Sequence, residues 1–313
     1  MEYSKVNRYT ISKLSLGTVA LGLDYGISNA EGRPSREKSF SILSTALSMG
    51  INTIDTARNY GDAELLVGSF LDQDKDHSAT NLVTKFEIDN ETLLNKDKAR
   101  EHAYNSIRSS CSNLRISQVP VCLFHKGKDQ PVDLVLEVLP SILQDLKDDG
   151  LIDLAGVSVY YPNEVERFLD VPIVAGMQVP LNIFDQRLIS NGMLQRLHLE
   201  KKFVFVRSVF LQGLFFMQPS ALQGSLSDAR PYLEALHDLA VRAGMSIAEL
   251  AFSYVKDLKG VTSIVFGATT EQQVIENINL LNSKSIPLNV KQSIEELFKI
   301  MPEHIITPGV WKL

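Results

Sequence analysis

Three ionisable residues in this chain stand directly after short apolar runs. Asp55 follows INTI (residues 51–54), Lys85 follows NLVT (81–84) and His125 follows VPVCLF (119–124). Tyr60 comes shortly after Asp55, in the turn Arg58-Asn59-Tyr60-Gly61. A single Lys or His after an apolar strand is ordinarily structural, with the lysine stem snorkelling to water. Three such strand ends beside a tyrosine form a set with chemistry in common. A phenol of reference pKa ~10 is a poor proton donor at neutral pH. An ammonium ~4 Å away contributes about 4 kcal/mol at an effective dielectric of ~20, at most ~3 pKa units before desolvation subtracts. That interaction is expected to bring Tyr60 toward the range of a general acid–base catalyst. Asp55 then keeps Lys85 charged and placed, and His125 supplies a hydrogen bond that orients a substrate carbonyl. The set suits delivery of a proton to a carbonyl oxygen as it becomes an alkoxide. It holds no nucleophile and too few ligands for a metal, so no metal cofactor is expected.

Such residues must be brought to one rim, and the order of elements supplies it. A short apolar run followed by an amphipathic helical segment recurs along the chain. Strand candidates lie at 14–16, 51–54, 81–84, 119–124, 154–159, 173–179, 203–206 and 263–266. Helices are expected at 37–49, 63–71, 96–114, 134–147, 164–169 and 271–281, with Gly50 and Gly150 closing two of them. Continuous apolar strands are buried on both faces, which points to a parallel sheet. Eight strand-led units without a break favour a closed (β/α)8 TIM barrel over an open sheet, in the α/β class and as one domain over 1–313. Residues 5–13, with Asn7-Arg8 as the turn, read as a β-hairpin before the barrel. Residues 211–228 form a long connection, and 286–313 add a C-terminal helix and a tail that holds the only tryptophan, Trp311. In a barrel of this kind the C-terminal strand ends form the reactive face, where Asp55, Lys85 and His125 fall.

Composition narrows the remaining classes. The 313 residues are 44% hydrophobic and 22% charged, with 31 basic against 37 acidic side chains and a net charge of −6. That is an ordinary globular balance, which excludes disorder and fibres. Apolar runs are far shorter than the ~20 residues of a membrane span, and MEYSKVNRYT has no apolar core of a secretory signal. The absence of a basic tract gives no reason to expect nucleic acid or an anionic membrane as partner. Cys111 and Cys122, both beside apolar segments, read as reduced core residues of a cytoplasmic protein.

Dinucleotide and nucleophile motifs are informative by their failure. No Gly-x-Gly-x-x-Gly is present, and residues 17–22 have the spacing of a P-loop but continue into Leu23. The segment Gly156-Val157-Ser158-Val159-Tyr160 lacks the second glycine of a hydrolase elbow. Gly267-Ala268-Thr269-Thr270 ends the last strand and opens a helix, where amides and hydroxyls hold a phosphate or form a plain Thr N-cap.

Taken with these motifs, the chain resembles the aldo-keto reductase superfamily, in a bacterial branch. The likeness runs from Leu16-Gly17-Thr18 to Asn277, and is carried by INTIDTARNYG (51–61), VTK (83–85), LFH (123–125), GVS (156–158), Gln178 and GATTEQQVIEN (267–277). It implies that Tyr60 is the proton donor, in a tetrad completed by Lys85, Asp55 and His125. It also implies a nicotinamide dinucleotide on the rim, near Gly17 and Thr18, with Ser158 and Gln178 holding the carboxamide. Residues 208–213 (SVFLQG) resemble the segment that covers the pyrophosphate, which assigns Ser208, Phe210, Gln212 and Gly213 to the cofactor. Gly267, Thr269, Gln273, Glu276 and Asn277 match the adenosine end. The implied activity is reduction of an aldehyde or ketone to the alcohol.

Departures from the family pattern sharpen the expectation. Val159 stands where many members have Asn, and Arg207 where many have an aromatic ring stacked on nicotinamide, a role a guanidinium plane also fills. Gly267 and Gln273 replace the Lys and Arg that several members set against a 2′-phosphate, so hydroxyl contacts are left to carry the expected preference for NADP(H) over NAD(H). Substrate choice is expected from residues 20–34, 126–131 and 214–228 and the tail with Trp311, whose polar character suits a sugar or other hydroxylated carbonyl compound. Two alternatives use the same residues. One is a Schiff-base lyase acting through Lys85; the other is a nucleotide-sensing regulatory protein on this scaffold, as in the β subunits of potassium channels.

Overall fold

A computed structural model describes residues 1–27, 29, 32–73 and 80–311. Of the segments expected to set substrate choice, Ser28, Ala30, Glu31 and the last two residues lie outside the described set. Strands β1 (Tyr3–Val6) and β2 (Tyr9–Ser12) pair antiparallel around Asn7-Arg8 as the expected hairpin. The barrel strands are β3 (Leu14–Gly17), β4 (Thr53–Asp55), β5 (Asn81–Phe86), β6 (Val119–His125), β7 (Ile152–Ser158), β8 (Val174–Pro180), β9 (Phe203–Arg207) and β10 (Ser263–Gly267). They close in the order β10-β3-β4-β5-β6-β7-β8-β9, every pair parallel. The eight-stranded (β/α)8 barrel is therefore present, with strand ends shifted from the sequence reading by one or two residues.

Strand alternation decides which side chains share the barrel interior. Val83, Val121, Leu123, Leu154, Phe203 and Phe205 form one inner cluster with Ile11 of the hairpin, which closes the N-terminal mouth. Leu82, Phe86, Cys122, Phe124, Val157, Met177, Val204 and Val206 instead join the larger core under the helices. Two residues beyond Val83 and Leu123, on the same face, come Lys85 and His125. Two beyond Phe205 comes Arg207. The inward phase of seven strands thus ends in a polar group or glycine at the C-terminal rim, that of β8 carries Gln178 one step before Pro180, and register holds His125, Ser158 and Gln178 side by side.

The outer layer contains more helix than the strand-led count expects. Helices Met193–Leu199, Arg230–Ala243 and Ile247–Lys256 are additions, and Leu288–Leu297 is the expected C-terminal helix. The long connection after β9 is not irregular throughout: it contains 3-10 turns at Leu211–Phe216, Pro219–Ala221 and Gly224–Ala229. No described helix is long and apolar enough to cross a membrane.

Candidate active site

The loop after β4 is stitched to its neighbour before it delivers Tyr60. Thr56 and Arg58 amides donate to the carbonyls of Val83 and Lys85, at 2.8 and 2.9 Å. Tyr60 then closes a turn onto Ala57 O at 3.1 Å, and its own carbonyl caps Ala63 N at 3.0 Å. Two glycines permit this turn. A Cβ on Gly22 would stand 1.9 Å from Tyr60 O, and Gly61 has φ +57 with its Cβ position 2.5 Å from Gly22 O. Only residues without side chains let these backbones meet.

Beneath the turn lies a fully buried charge network. The Lys85 side chain is 1% exposed and that of Asp55 4%. Lys85 Nζ donates to Asp55 Oδ1 at 2.7 Å and to Thr56 O at 2.8 Å. It also lies 5.0 Å from the Tyr60 ring centroid. Asp55 Oδ2 accepts from Gln178 Nε2 at 2.7 Å, and Asp55 O accepts from Thr18 N and Oγ1 at 2.9 and 3.1 Å. Burial pulls the Lys85 ammonium toward neutrality, but Asp55 and Tyr60 outweigh it and its pKa is raised. An amine so held is charged and committed, unlike the neutral nucleophile of a Schiff-base enzyme.

Tyr60 departs from the sequence expectation. Burial raises its pKa, and the opposing pull of Lys85 does not overcome that. The phenol is therefore held protonated. Burial also lowers the pKa of His125, against a raising contact with Glu87, so the imidazole is neutral at neutral pH. Its Nδ1 lies 3.1 Å from Glu87 Oε1 but off the line of a hydrogen bond. Glu87 is itself fixed by Asn59 Nδ2 at 2.6 Å.

These groups open onto a cavity of about 1070 Å³ that runs from Tyr60, His125 and Gln178 to the start of helix Glu271–Leu280. Gly17, Asp55, Arg207, Ser208, Phe210, Gln212, Gly213, Gly267, Thr269, Gln273, Glu276 and Asn277 all line it. Lys85, Thr18 and Ser158 do not; they are buried behind the wall. Thr18 supports Asp55 rather than facing the cavity, a correction to its assignment as a contact. The segment after β9 crosses the cavity with three non-glycine residues at positive φ, Ser208 (65°), Leu211 (48°) and Gln212 (54°). Gln212 Nε2 donates to Tyr25 OH at 3.0 Å and Gln212 O accepts from Ile27 N at 3.2 Å, joining this segment to the loop after β3. Strained backbone of this kind persists where surroundings over-determine it, often at ligand clamps.

A nicotinamide dinucleotide fits the unused hydrogen-bonding capacity of this cavity. Arg207 Nε and Asn277 Oδ1, one toward each end of the cavity, are buried without a hydrogen-bond partner among the described residues. Buried polar atoms left unpaired cost free energy, so a ligand is the natural partner. Three or more His, Cys, Asp or Glu side chains arranged to hold a metal ion do not occur among the described residues.

Tyr160 is the main residue missed in the sequence. It lines the cavity, stacks on His125 at 6.4 Å and 13°, and carries the Arg207 guanidinium 4.6 Å over its ring. Standing just past β7, it was open to the same rim argument as His125. Arg207 Nη2 donates to Val159 O at 3.2 Å, so the backbone of Val159 holds a cation where the family's Asn would use a side chain. Two expected specificity segments need correction. Within 126–131, Lys126 is buried against Glu164 Oε1 at 2.6 Å and Gln130 bonds Gly127 N at 2.7 Å, so the segment folds onto itself outside the cavity. Trp311 turns away, donating to His304 O at 2.9 Å, while Pro308 and Gly309 of the tail do line the cavity.

Comparison with known proteins agrees with this architecture. The family model described as the aldo/keto reductase family matches residues 13–298. An uncharacterized oxidoreductase of Bacillus subtilis (strain 168) is 23% identical over 311 residues, covering 94% of this chain and 92% of that protein. An NADH-specific methylglyoxal reductase of Escherichia coli (strain K12) is 24% identical over 320 residues, covering 94% and 95%. Among solved structures, an aldo-keto reductase from Bacillus halodurans in its holo form shares the fold with a TM-score of 0.77 at 20% identity, covering 97% of this chain and 99% of that one.

Proposed function

The chain belongs to the aldo/keto reductase family and is an oxidoreductase of that kind, and from this premise we propose that it reduces an aldehyde or ketone to the alcohol with Tyr60 as general acid. The observation that carries the reading is the buried line Gln178–Asp55–Lys85 ending at Tyr60, on the rim of a cavity of about 1070 Å³. When bound, nicotinamide supplies the hydride that reaches the carbonyl carbon. Tyr60 gives its phenolic proton to the carbonyl oxygen, so the new O–H bond forms as the C=O π bond is lost. Its raised pKa keeps that proton in place at neutral pH. Lys85 then meets the charge left on the phenol oxygen, and Asp55 keeps Lys85 from drifting or losing its own proton. Neutral His125 lines the cavity beside Tyr60 and so orients the carbonyl.

Gln178 is assigned to the carboxamide through its oxygen, because its Nε2 serves Asp55, with Ser158 beside it in the adjoining strand. The 208–213 segment covers the pyrophosphate, and residues 267–277 receive the adenosine. Around the reacting end, Tyr25, Asn29, Tyr160 and Phe216 mix aromatic faces with hydrogen-bonding groups. That lining suits a small hydroxylated aldehyde or ketone, with no nucleic acid or membrane as partner. The whole of 1–313 is taken as one unit, and the buried free thiols of Cys111 and Cys122 support a cytoplasmic setting. The test is a panel of aldehydes, ketones and aldoses, methylglyoxal included, mixed with NADH or NADPH while reduced-nicotinamide absorbance is followed. Consumption with at least one carbonyl compound is expected; none with any of them overturns the proposal.

A further inference from the structure

The adenosine end of the cavity is poorly furnished for a 2′-phosphate. At the mouth of helix Glu271–Leu280, Gln273 Oε1 accepts from both Thr269 N, at 2.7 Å, and Thr269 Oγ1, at 3.2 Å. The Gln273 backbone N–H in turn donates to Thr270 Oγ1 at 3.2 Å. The hydroxyl and amide expected to receive phosphate oxygens at this helix start are therefore already committed within the chain. Charge points the same way. Among the described residues lining the cavity, the only Lys or Arg is Arg207, held at the other end by Tyr160 and Val159 O. Two carboxylates line the adenosine end, Glu249 and Glu276. Glu249 is fixed there by Ser246 N and Oγ, both donating to its Oε2 at 2.8 Å, and these bonds lower its pKa.

From this arrangement we infer that the site selects NAD(H) over NADP(H), with Gln273 the residue that closes the phosphate position and Glu249 and Glu276 adding repulsion. This runs against the preference for NADP(H) through hydroxyl contacts that the sequence leads one to expect. A 2′-hydroxyl needs only one acceptor or donor, and a carboxylate serves it well, whereas a 2′-phosphate brings about two negative charges that need cations. The inference rests on the dinucleotide reading of the cavity.

Dissociation constants for NADH and NADPH, measured by calorimetry on the full chain, test it without any turnover. NADH is expected to bind on the order of tenfold or more tightly. Raising ionic strength screens the carboxylates and should narrow the ratio. Gln273→Ala, which frees the Thr269 donors, should narrow it by strengthening NADPH, and Gln273→Arg should reverse it. Gln273 is exposed, so neither change threatens folding. Equal or tighter binding of NADPH to the parent chain overturns the inference while leaving the proposed function intact. An NADH preference that neither Gln273 variant moves overturns the role given to Gln273. Binding of neither dinucleotide overturns the proposed function itself.

Discussion

Asp55 Oδ1 and Lys85 Nζ meet at 2.7 Å, both side chains almost wholly out of water. A pair so buried is costly to build, because each charge loses hydration, and costlier to break on one side only. Asp55→Asn leaves the ammonium with a carbonyl and an amide in place of a carboxylate. It is expected to lower stability by about 3–5 kcal/mol, read from denaturant unfolding. It should also lower kcat, because a Lys85 whose pKa falls no longer meets charge on Tyr60. Unchanged stability with unchanged kcat would remove Asp55 from both roles.

Tyr60→Phe removes the transferable proton together with the phenol's hydrogen bond to Lys85, and leaves the ring in place. Carbonyl reduction should fall by about 10²–10⁴-fold, the usual reach of a positioned acid, while dinucleotide Kd stays close to the parent value. The raised pKa also sets a pH profile. Reduction needs the protonated phenol, so kcat should hold through neutral pH and decline only in the alkaline range above that of ordinary tyrosine. A decline beginning near neutrality would show that Lys85 wins after all, and that burial is the smaller influence.

His125 titrates in the opposite sense. Its folded-state pKa lies below the ordinary ~6.5, chiefly through burial. Above that value both folded and unfolded chains carry a neutral ring. As pH falls below it, the unfolded chain binds the proton first, so stability is lost progressively down to the folded pKa. In His125→Asn this part of the acid loss should vanish. Thermal midpoints of parent and variant taken at matched pH between about 7 and 5 isolate it, and parallel curves would mean that His125 is not the buried neutral ring described.

The contrast between what the residues announced and what packing decided is plain at this rim. Asp55, Lys85 and His125 were legible because each directly continues the inward phase of an apolar strand, so type and direction follow from sequence alone. Tyr160 stood just beyond such a strand, and only the closed barrel turns it over His125. Helix Arg230–Ala243 carries the spacing of Leu233, Leu236 and Ala240, but it follows a loop rather than a strand and so falls outside a strand-led count. The sign of the Tyr60 shift was beyond sequence reasoning, because it depends on how much desolvation accompanies the ammonium. Likewise, nothing in GATTEQQ reveals that Gln273 folds back on Thr269.

Gly22 makes the position of Tyr60 testable from a residue that touches no ligand chemistry. Its absent Cβ would lie 1.9 Å from Tyr60 O and 2.9 Å from the Ala63 Cβ, both parts of the turn that aims the phenol. Alanine there cannot be accommodated by a rotamer change, because the nearest obstacle is backbone. The turn must shift instead, at about 1–3 kcal/mol of strain. A displacement of about 1 Å at the acid can cost about 10²-fold in rate. Gly22→Ala is therefore expected to lower kcat by more than its loss of stability explains, with dinucleotide Kd nearly unchanged because Lys85, Gln178 and the adenosine end are untouched. Kinetics and calorimetry on the same preparation decide it. If kcat survives while the thermal midpoint drops, the contact between Gly22 and Tyr60 serves folding alone, and the turn tolerates more movement than its hydrogen bonds to Ala57 and Ala63 imply.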